Sequence, residues 1–387
     1  MRVNLVTDTI DKNDINQLIK WLQTYPRLTK GSVTIELEEK FADWIGSKYS
    51  VFVNSGSSAN LLMLYTLIEM GYLNRGDKVV VPALSWSTDL APVIQLGLEP
   101  ILVDCNINDL SIDIHHLIKI IKSKQPKVLM LVSVLGHVPL MSHIIDICKA
   151  NDIILIEDNC EAMGSKFEDT KLGNFGMMSS FSTFFGHHIS TIEGGFITTN
   201  DDQVYDVLLG LRSHGWDRDL NKTKQKILRD SWKVDDFQAF YTFYFPGFNL
   251  RSTDLQAYIG LGQLKKLDFI VGRRNELWKL YLEKLNDDLW KPKNSLDTFT
   301  SAFAFPIIAE NIEVKKILVD ALKVGSVEVR PMICGSLGTQ PYYVKRYGEK
   351  ILKNANVVDK LGFYVPIHHG MDKNDVQHVC DIINRNS

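Results

Sequence analysis

Along residues 1–200, short continuous apolar runs alternate with stretches whose apolar positions recur at helical spacing. Tyr49–Val53, Lys78–Val81, Pro100–Val103, Val128–Val134 and Ile153–Glu157 read as strands. Asp14–Leu22 reads as a helix closed by Pro26, and Thr34–Ile45 as an amphipathic one carrying Ile35, Leu37, Phe41 and Trp44 among acids. Ala59–Met70, Asp89–Leu96, Leu117–Lys122 and Met141–Asn151 complete the series. Strands that are apolar throughout and alternate with helices predict a parallel sheet covered on both faces. Ligands of such sheets gather beyond the carboxyl ends of the strands. Polar clusters stand at those ends: Asn54 to Ser58, Ser85 to Thr88, and Asp158.

A further apolar and small run, Met177–Phe185, leads into adjacent histidines, His187 and His188, and then Gly194-Gly195 opens a β-like stretch. Beyond it the pattern loosens. Residues 203–213 are helical, and 214–250 are rich in aromatics, lysine and aspartate. A helix starts near Ser252-Thr253-Asp254 and runs through Leu267. Strands near Ser301–Ile308 and helices over 312–323 and 373–384 read as a smaller α/β domain. The expected division is a large domain over 1–250 and a smaller one over 251–387.

Composition narrows the classes. A net charge of −3 gives no electrostatic argument for nucleic acid or an anionic membrane. The densest basic group, Lys222–Lys226, reads as a solvated loop or helix face. The first residues lack a secretory h-region, and no apolar run is long enough to span a bilayer, so a cytoplasmic protein is expected. The five cysteines, Cys105, Cys148, Cys160, Cys334 and Cys380, show no Cys-x-x-Cys spacing. They read as reduced, mostly buried thiols, with no metal site implied.

The strand ends carry the candidate chemistry. Val53-Asn-Ser-Gly-Ser-Ser-Ala passes from a strand into a helix, whose first N–H groups lack intrahelical acceptors and bind phosphate. Ordinary N-capping suits the same residues. G-x-G-x-x-G and G-x-x-x-x-G-K-S/T are missing, which weighs against NAD and nucleoside triphosphates. Asp158 could hold a pyridinium nitrogen protonated or serve as a cap or ion-pair partner. Trp86 could stack on a flat ring or fill core. A histidine at the mouth of a buried strand needs a partner, and its usual pKa of about 6.5 makes it acid and base near neutrality. One of the pair is read as the reacting group; two hydrogen-bonded turn histidines is the competing reading.

Five segments occur in order: Asn54-Ser-Gly-Ser-Ser-Ala-Asn, Pro82-Ala-Leu-Ser-Trp-Ser-Thr, Glu157-Asp-Asn-Cys-Glu-Ala-Met-Gly-Ser, Phe181 through Gly195, and Gly247-Phe-Asn-Leu-Arg-Ser-Thr-Asp-Leu-Gln-Ala. Together they resemble the nucleotide-sugar aminotransferase family of the aspartate-aminotransferase fold. Leu28-Thr-Lys-Gly, Phe41 and Gly46 fit its N-terminal segment. The resemblance implies an α/β protein of PLP-dependent transferase fold type I, with a large parallel or mixed sheet domain and a smaller C-terminal α/β domain. It implies pyridoxal 5'-phosphate (PLP) or pyridoxamine 5'-phosphate (PMP) as cofactor. Gly56, Ser57 and Ser182 would meet the phosphate, joined by Asn249 from a second subunit. Trp86 would stack on the ring and Asp158 pair with its nitrogen. The family usually has a glutamine where Glu161 stands, near the phenolic oxygen.

The decisive departure is His187. Family members carry their Schiff-base lysine there, ahead of Glu193-Gly-Gly, whereas an imidazole moves protons but forms no stable imine. Histidine at this position is similar to the sugar 3-dehydratases of the family. That likeness implies loss of the C3 hydroxyl from a GDP-linked 4-keto-6-deoxy sugar, with glutamate regenerating PMP in a homodimer with shared active sites. His188 is expected to orient the turn or the cofactor. His214, Arg218, Arg251 and Arg330 are candidates for diphosphate or sugar oxygens, with surface ion pairs as the alternative for each. Gly186 stands where a small polar residue is expected. Three rival readings compete. A CDP-sugar dehydratase with an iron–sulfur cluster conflicts with the absence of cysteine from residues 195–333. A true aminotransferase needs another lysine at the cofactor. A non-catalytic cofactor-binding regulator could keep the same site.

Overall fold

Val128, Met130 and Val132 are buried in one hydrophobic core and the alternating Leu129 and Leu131 in another, as expected of a strand covered on both faces. The computed structural model describes residues 2–293, 297–333 and 335–387. Its first strands are β1 (Tyr49–Val53), β2 (Lys78–Pro82), β3 (Glu99–Val103), β4 (Val128–Val132) and β5 (Ile154–Asp158). A small hairpin follows, β6 (Lys166–Phe167) and β7 (Thr170–Lys171), then β8 (Met178–Ser182) and β9 (Gly195–Thr199). Seven of these form one sheet in the order β1-β9-β8-β5-β4-β2-β3.

The sheet is mixed, within the parallel or mixed sheet that the resemblance implied, although the strand pattern alone pointed to a parallel one. β9 runs antiparallel to both β8 and β1, with Ser182 opposite Gly195 and Val53 opposite Gly195 on the other side. The return from β8 passes through residues 183–194, which form no helix that could carry a parallel crossover. β4 also ends earlier than the apolar run suggested. Ser133 N–H donates to the Asp158 carbonyl at 3.1 Å, and a 3₁₀ turn, Val134–Gly136, follows.

The helix after residue 253 is longer than its pattern implied. Capped by Thr253, it spans Asp254–Lys284. Ala257, Leu267, Ile270 and Val271 join Leu37, Phe41, Phe52, Phe181 and Phe196 in an aromatic core behind the sheet. Leu277, Trp278 and Tyr281 belong instead to a C-terminal core. Because the buried stripe changes partner partway, no single periodicity runs the length of the helix. The C-terminal part adds β10 (Thr298–Phe299), which pairs with β6, then β11 (Ala304–Ile308), β12 (Arg330–Pro331) and β13 (Gly362–Pro366). The last three form an antiparallel sheet in the order β11-β13-β12. Helices Ile312–Val324 and Lys373–Asn386 contribute Leu318, Leu322, Val376, Val379, Cys380 and Ile383 to its core. Val3 joins the same core and bridges Val327.

Within 214–250, residues Lys222–Trp232 form a helix, so the dense basic group lies on a helix face. Cys105, Cys148, Cys160 and Cys380 are free thiols; Cys334 lies outside the described residues. Among the described residues, no helix is long and apolar enough to cross a membrane.

Candidate active site

The carboxyl ends of β1, β2, β4, β5 and β8 open into a cavity of about 390 Å³. Its floor is the start of the helix Gly56–Glu69, where Ser55 caps the Ser58 N–H at 3.0 Å. The first-turn N–H groups of that helix have no acceptor within the helix, and Gly56 and Ser57 line the cavity. Two glycines let three strand ends converge. A Cβ on Gly56 would lie 2.8 Å from Cys160 Sγ and 2.9 Å from Ser182 Cβ; one on Gly195 would lie 2.6 Å from Gly56 N. The Ser182 hydroxyl and the Gly56–Ser57 turn therefore share one polar corner, a donor set that suits a phosphate group.

The opposite end of the cavity suits a flat heteroaromatic ring. Trp86, at the N-cap of the helix Ser87–Gln95, is 52% exposed although it lines the cavity. Asp158, the last residue of β5, accepts the Cys160 N–H at 2.8 Å on one oxygen and Asn60 Nδ2 at 2.5 Å on the other. Glu161 accepts the Leu135 N–H at 2.7 Å. Burial pushes its carboxyl up to about 8, with the charge of Asp158 adding and the Leu135 bond opposing. At neutral pH Glu161 is therefore a protonated acid, able to donate a hydrogen bond as the expected glutamine amide would.

His187 sits in the 183–194 turn, which is closed by Thr183 N–H to Gly194 O and Thr191 N–H to Thr183 O, both 2.9 Å. The Thr183 and Thr191 hydroxyls meet at 2.6 Å beneath it. His187 Nδ1 lies 2.7 Å from the Cys160 carbonyl oxygen. A carbonyl only accepts, so Nδ1 carries the hydrogen and Nε2 is the bare, proton-accepting nitrogen of a ring that lines the cavity. Burial lowers this imidazole to about 4, with the Cys160 bond opposing, so it is a neutral base at neutral pH. The ordinary value assumed from sequence is thus replaced by a lower one. His188 is fully buried; its Nε2 donates to the Ser301 carbonyl at 3.0 Å, pinning the turn to the chain ahead of β11. Arg274 reinforces this by donating to the carbonyls of Ala302, Phe303 and Ile367 at 2.7–3.0 Å and of His187 at 3.5 Å.

Residues 8–384 match the family described as DegT/DnrJ/EryC1/StrS aminotransferases. The chain belongs to that family. It is 37% identical over 348 residues to the GDP-4-keto-6-deoxy-D-mannose 3-dehydratase of Escherichia coli O55:H7, covering 88% of this chain and 89% of the relative. An E. coli GDP-4-keto-6-deoxy-D-mannose 3-dehydratase solved with hydrated PLP superposes with a TM-score of 0.91 at 34% identity, covering 99% of each chain. A structure of GDP-4-keto-6-deoxymannose 3-dehydratase with a trapped PLP–glutamate geminal diamine superposes equally well, with a TM-score of 0.91 at 33% identity, covering 99% of this chain and 100% of that one.

Within this family member, Gly56, Ser57, Trp86, Asp158, Glu161, Ser182 and His187 line one cavity. The other candidates do not. Arg251 donates to Asn249 Oδ1 at 3.0 Å and lies 3.4 Å from His214 Nε2, a group outside the cavity lining. Arg218 stacks over Trp216 at 3.7 Å and donates to the Phe240 carbonyl at 2.5 Å. Arg330 lines a separate cleft with Arg2 and Lys323. Several site residues were not anticipated. Asn60, the last residue of the first motif, and Asp89, just past the second, follow Gly56 and Trp86 by one helical turn, a spacing that puts each on the same helix face as its motif residue. Phe303, Ile333 and Tyr364 reach the cavity from the C-terminal part, where only folding brings them.

Proposed function

We propose that this protein is a PLP/PMP-dependent dehydratase that removes the C3 hydroxyl of GDP-4-keto-6-deoxy-D-mannose to give GDP-4-keto-3,6-dideoxy-D-mannose, with glutamate regenerating PMP. The observation that carries the reading is His187, a neutral imidazole with Nδ1 pinned and Nε2 bare, standing where the family's lysine is expected. When bound, PMP supplies an amine for the C4 ketone and an electron-withdrawing ring.

The chain's residues do the rest. The Gly56–Ser57 turn and the Ser182 hydroxyl hold the phosphate. Trp86 covers one face of the ring, Asp158 keeps the ring nitrogen protonated, and Glu161 donates to the phenolic oxygen. His187 Nε2 takes up a proton, and the resulting imidazolium delivers it to the oxygen leaving C3. An imidazole lowered to about 4 stays ready as a base, and its conjugate acid is a strong donor to a departing hydroxyl. A lysine there would capture the cofactor covalently and favour amino transfer. The cavity lies between a cofactor-binding unit over residues 1–250 and a smaller one over 251–387. His214, Asn249 and Arg251, grouped outside the cavity of their own chain, serve the cavity of a second copy in a homodimer. Arg218 and Arg330 are the further candidates for substrate oxygens.

Incubation with GDP-4-keto-6-deoxymannose, glutamate and PLP tests the reading. A 3-deoxy product with release of ammonia is expected, and a 4-amino sugar or no turnover would overturn it. His187→Lys is expected to abolish the 3-deoxy product and to retain the cofactor covalently after borohydride reduction and denaturation.

A further inference from the structure

Two carboxyl groups meet behind the ring end of the cavity, and the mechanism above uses one. The other, Asp89, is fully buried in the first turn of the helix Ser87–Gln95. Its Oδ2 accepts the Trp86 N–H at 3.0 Å and its Oδ1 accepts Asn60 Nδ2 at 3.1 Å. The same nitrogen donates to Asp158 Oδ2 at 2.5 Å. Asn60 is held the right way round, because its Oδ1 accepts the Ser180 hydroxyl at 2.6 Å. One amide thus bridges two acids.

The titratable groups facing Asp89 are Asp158, Glu161 and Cys160, and none of them is a cation. Two buried carboxyls sharing one amide repel each other when both are charged, which favours the neutral form of one of them. Burial, then the charge of Asp158, pushes the Asp89 carboxyl well above its usual range. We propose that Asp89 is a positioning residue that holds a proton and donates it as a hydrogen bond to Asp158, so that Asp158 stays anionic while the cofactor ring nitrogen keeps its own proton.

Asp158 then receives three donors: Cys160 N–H, Asn60 Nδ2 and the Asp89 hydroxyl. Each donor stabilises the negative charge on the carboxylate by hydrogen bonding. A carboxylate so held faces the ring nitrogen as a fixed anion, which keeps the ring protonated and electron-withdrawing. The charges also balance, with one carboxylate against one pyridinium and a neutral acid beside them. Through the Trp86 N–H, Asp89 ties the residue over the ring face to the residue at its nitrogen.

The proposal rests on the cofactor reading above, and its test separates the two. Asp89→Asn retains a donor toward Asp158 and an acceptor for the Trp86 N–H and loses only the acceptor for Asn60 Nδ2; Asp89→Ala retains none of the three. PMP affinity and the ring-nitrogen chemical shift of ¹⁵N-labelled PMP are measured for both. Asp89→Ala is expected to bind PMP about tenfold more weakly or worse, with the shift moving toward unprotonated pyridine. Asp89→Asn is expected to rescue both. In cofactor-free Glu161→Gln protein, which lacks the other protonated carboxyl of the cavity, the infrared carbonyl stretch of a protonated carboxyl is expected to be lost on adding Asp89→Asn, which decides the matter if the alanine variant does not fold. An asparagine variant as impaired as the alanine one, an alanine variant equal to wild type, or an unchanged infrared band would each overturn the proposal. Failure of the wild type to bind PMP would instead sink the cofactor reading.

Discussion

Position 161 carries a buried carboxyl group whose ionisation is shifted by the fold. Glu161 holds the Leu135 N–H through one oxygen, and burial keeps a proton on the group up to about pH 8. In the unfolded chain the same group ionises near its ordinary 4.5. The folded state therefore binds a proton that the unfolded state has released, and stability falls as pH rises between those two values. His187 acts in the opposite sense lower down: its folded value near 4 lies below 6.5, so it costs stability as pH drops. Comparing variant with wild type isolates Glu161. Glu161→Gln keeps the acceptor for Leu135 and removes the titration. The melting temperature of the cofactor-free variant is expected to exceed that of wild type by a margin that widens from about pH 4.5 to about pH 8. A margin that stays flat across that window would show that the group is ionised throughout.

At the scale of elements, the site depends on how closely β9 approaches the turn after β1. Gly195 lies against Gly56 N and the Phe181 carbonyl with no room for a Cβ. Gly195→Ala is expected to cost about 1–3 kcal/mol in thermal or denaturant unfolding and to weaken PMP binding, because the added methyl pushes into the phosphate corner. Unchanged PMP affinity would show that the corner is not where the cofactor sits. The strands from β1 to β5 were legible in the sequence because each is apolar on both faces, and their polar termini marked the cavity. The direction of β9 was not legible, since an apolar run does not state which way it pairs. Nor was the second half of the helix Asp254–Lys284, whose buried positions turn toward a different core. His187 stood out by chemistry alone. Its tautomer did not, because that depends on the Cys160 carbonyl brought alongside by the turn after β5.

At the scale of the whole molecule, the described surface carries several large aromatic side chains. Tyr25, Phe237 and Tyr241 are 94%, 85% and 80% exposed, and Trp232, Phe240 and Phe243 are exposed with them. Burying such rings against a second copy would remove apolar surface from water. The group of His214, Asn249 and Arg251 lies apart from the cavity of its own chain. If a second copy uses that group, mixing two inactive variants should restore function. A His187→Ala subunit supplies an intact Asn249 to its neighbour, and an Asn249→Ala subunit supplies an intact His187. Refolding the two together is expected to yield dehydratase activity that neither variant shows alone, in a species that light scattering sizes as a dimer. A monomer by scattering, or a mixture no better than its parents, would refute the shared site.

The helix Asp254–Lys284 has a consequence for how such a chain can change in length. Its early residues are locked into the aromatic core and its late residues, Trp278 and Tyr281, into the C-terminal one. Inserting one residue between them would swing one end by about 100° relative to the other, turning two aromatic rings out into water. The rod thus acts as a gauge block: an added residue is accommodated in the surrounding loops but not between these two sets of buried positions.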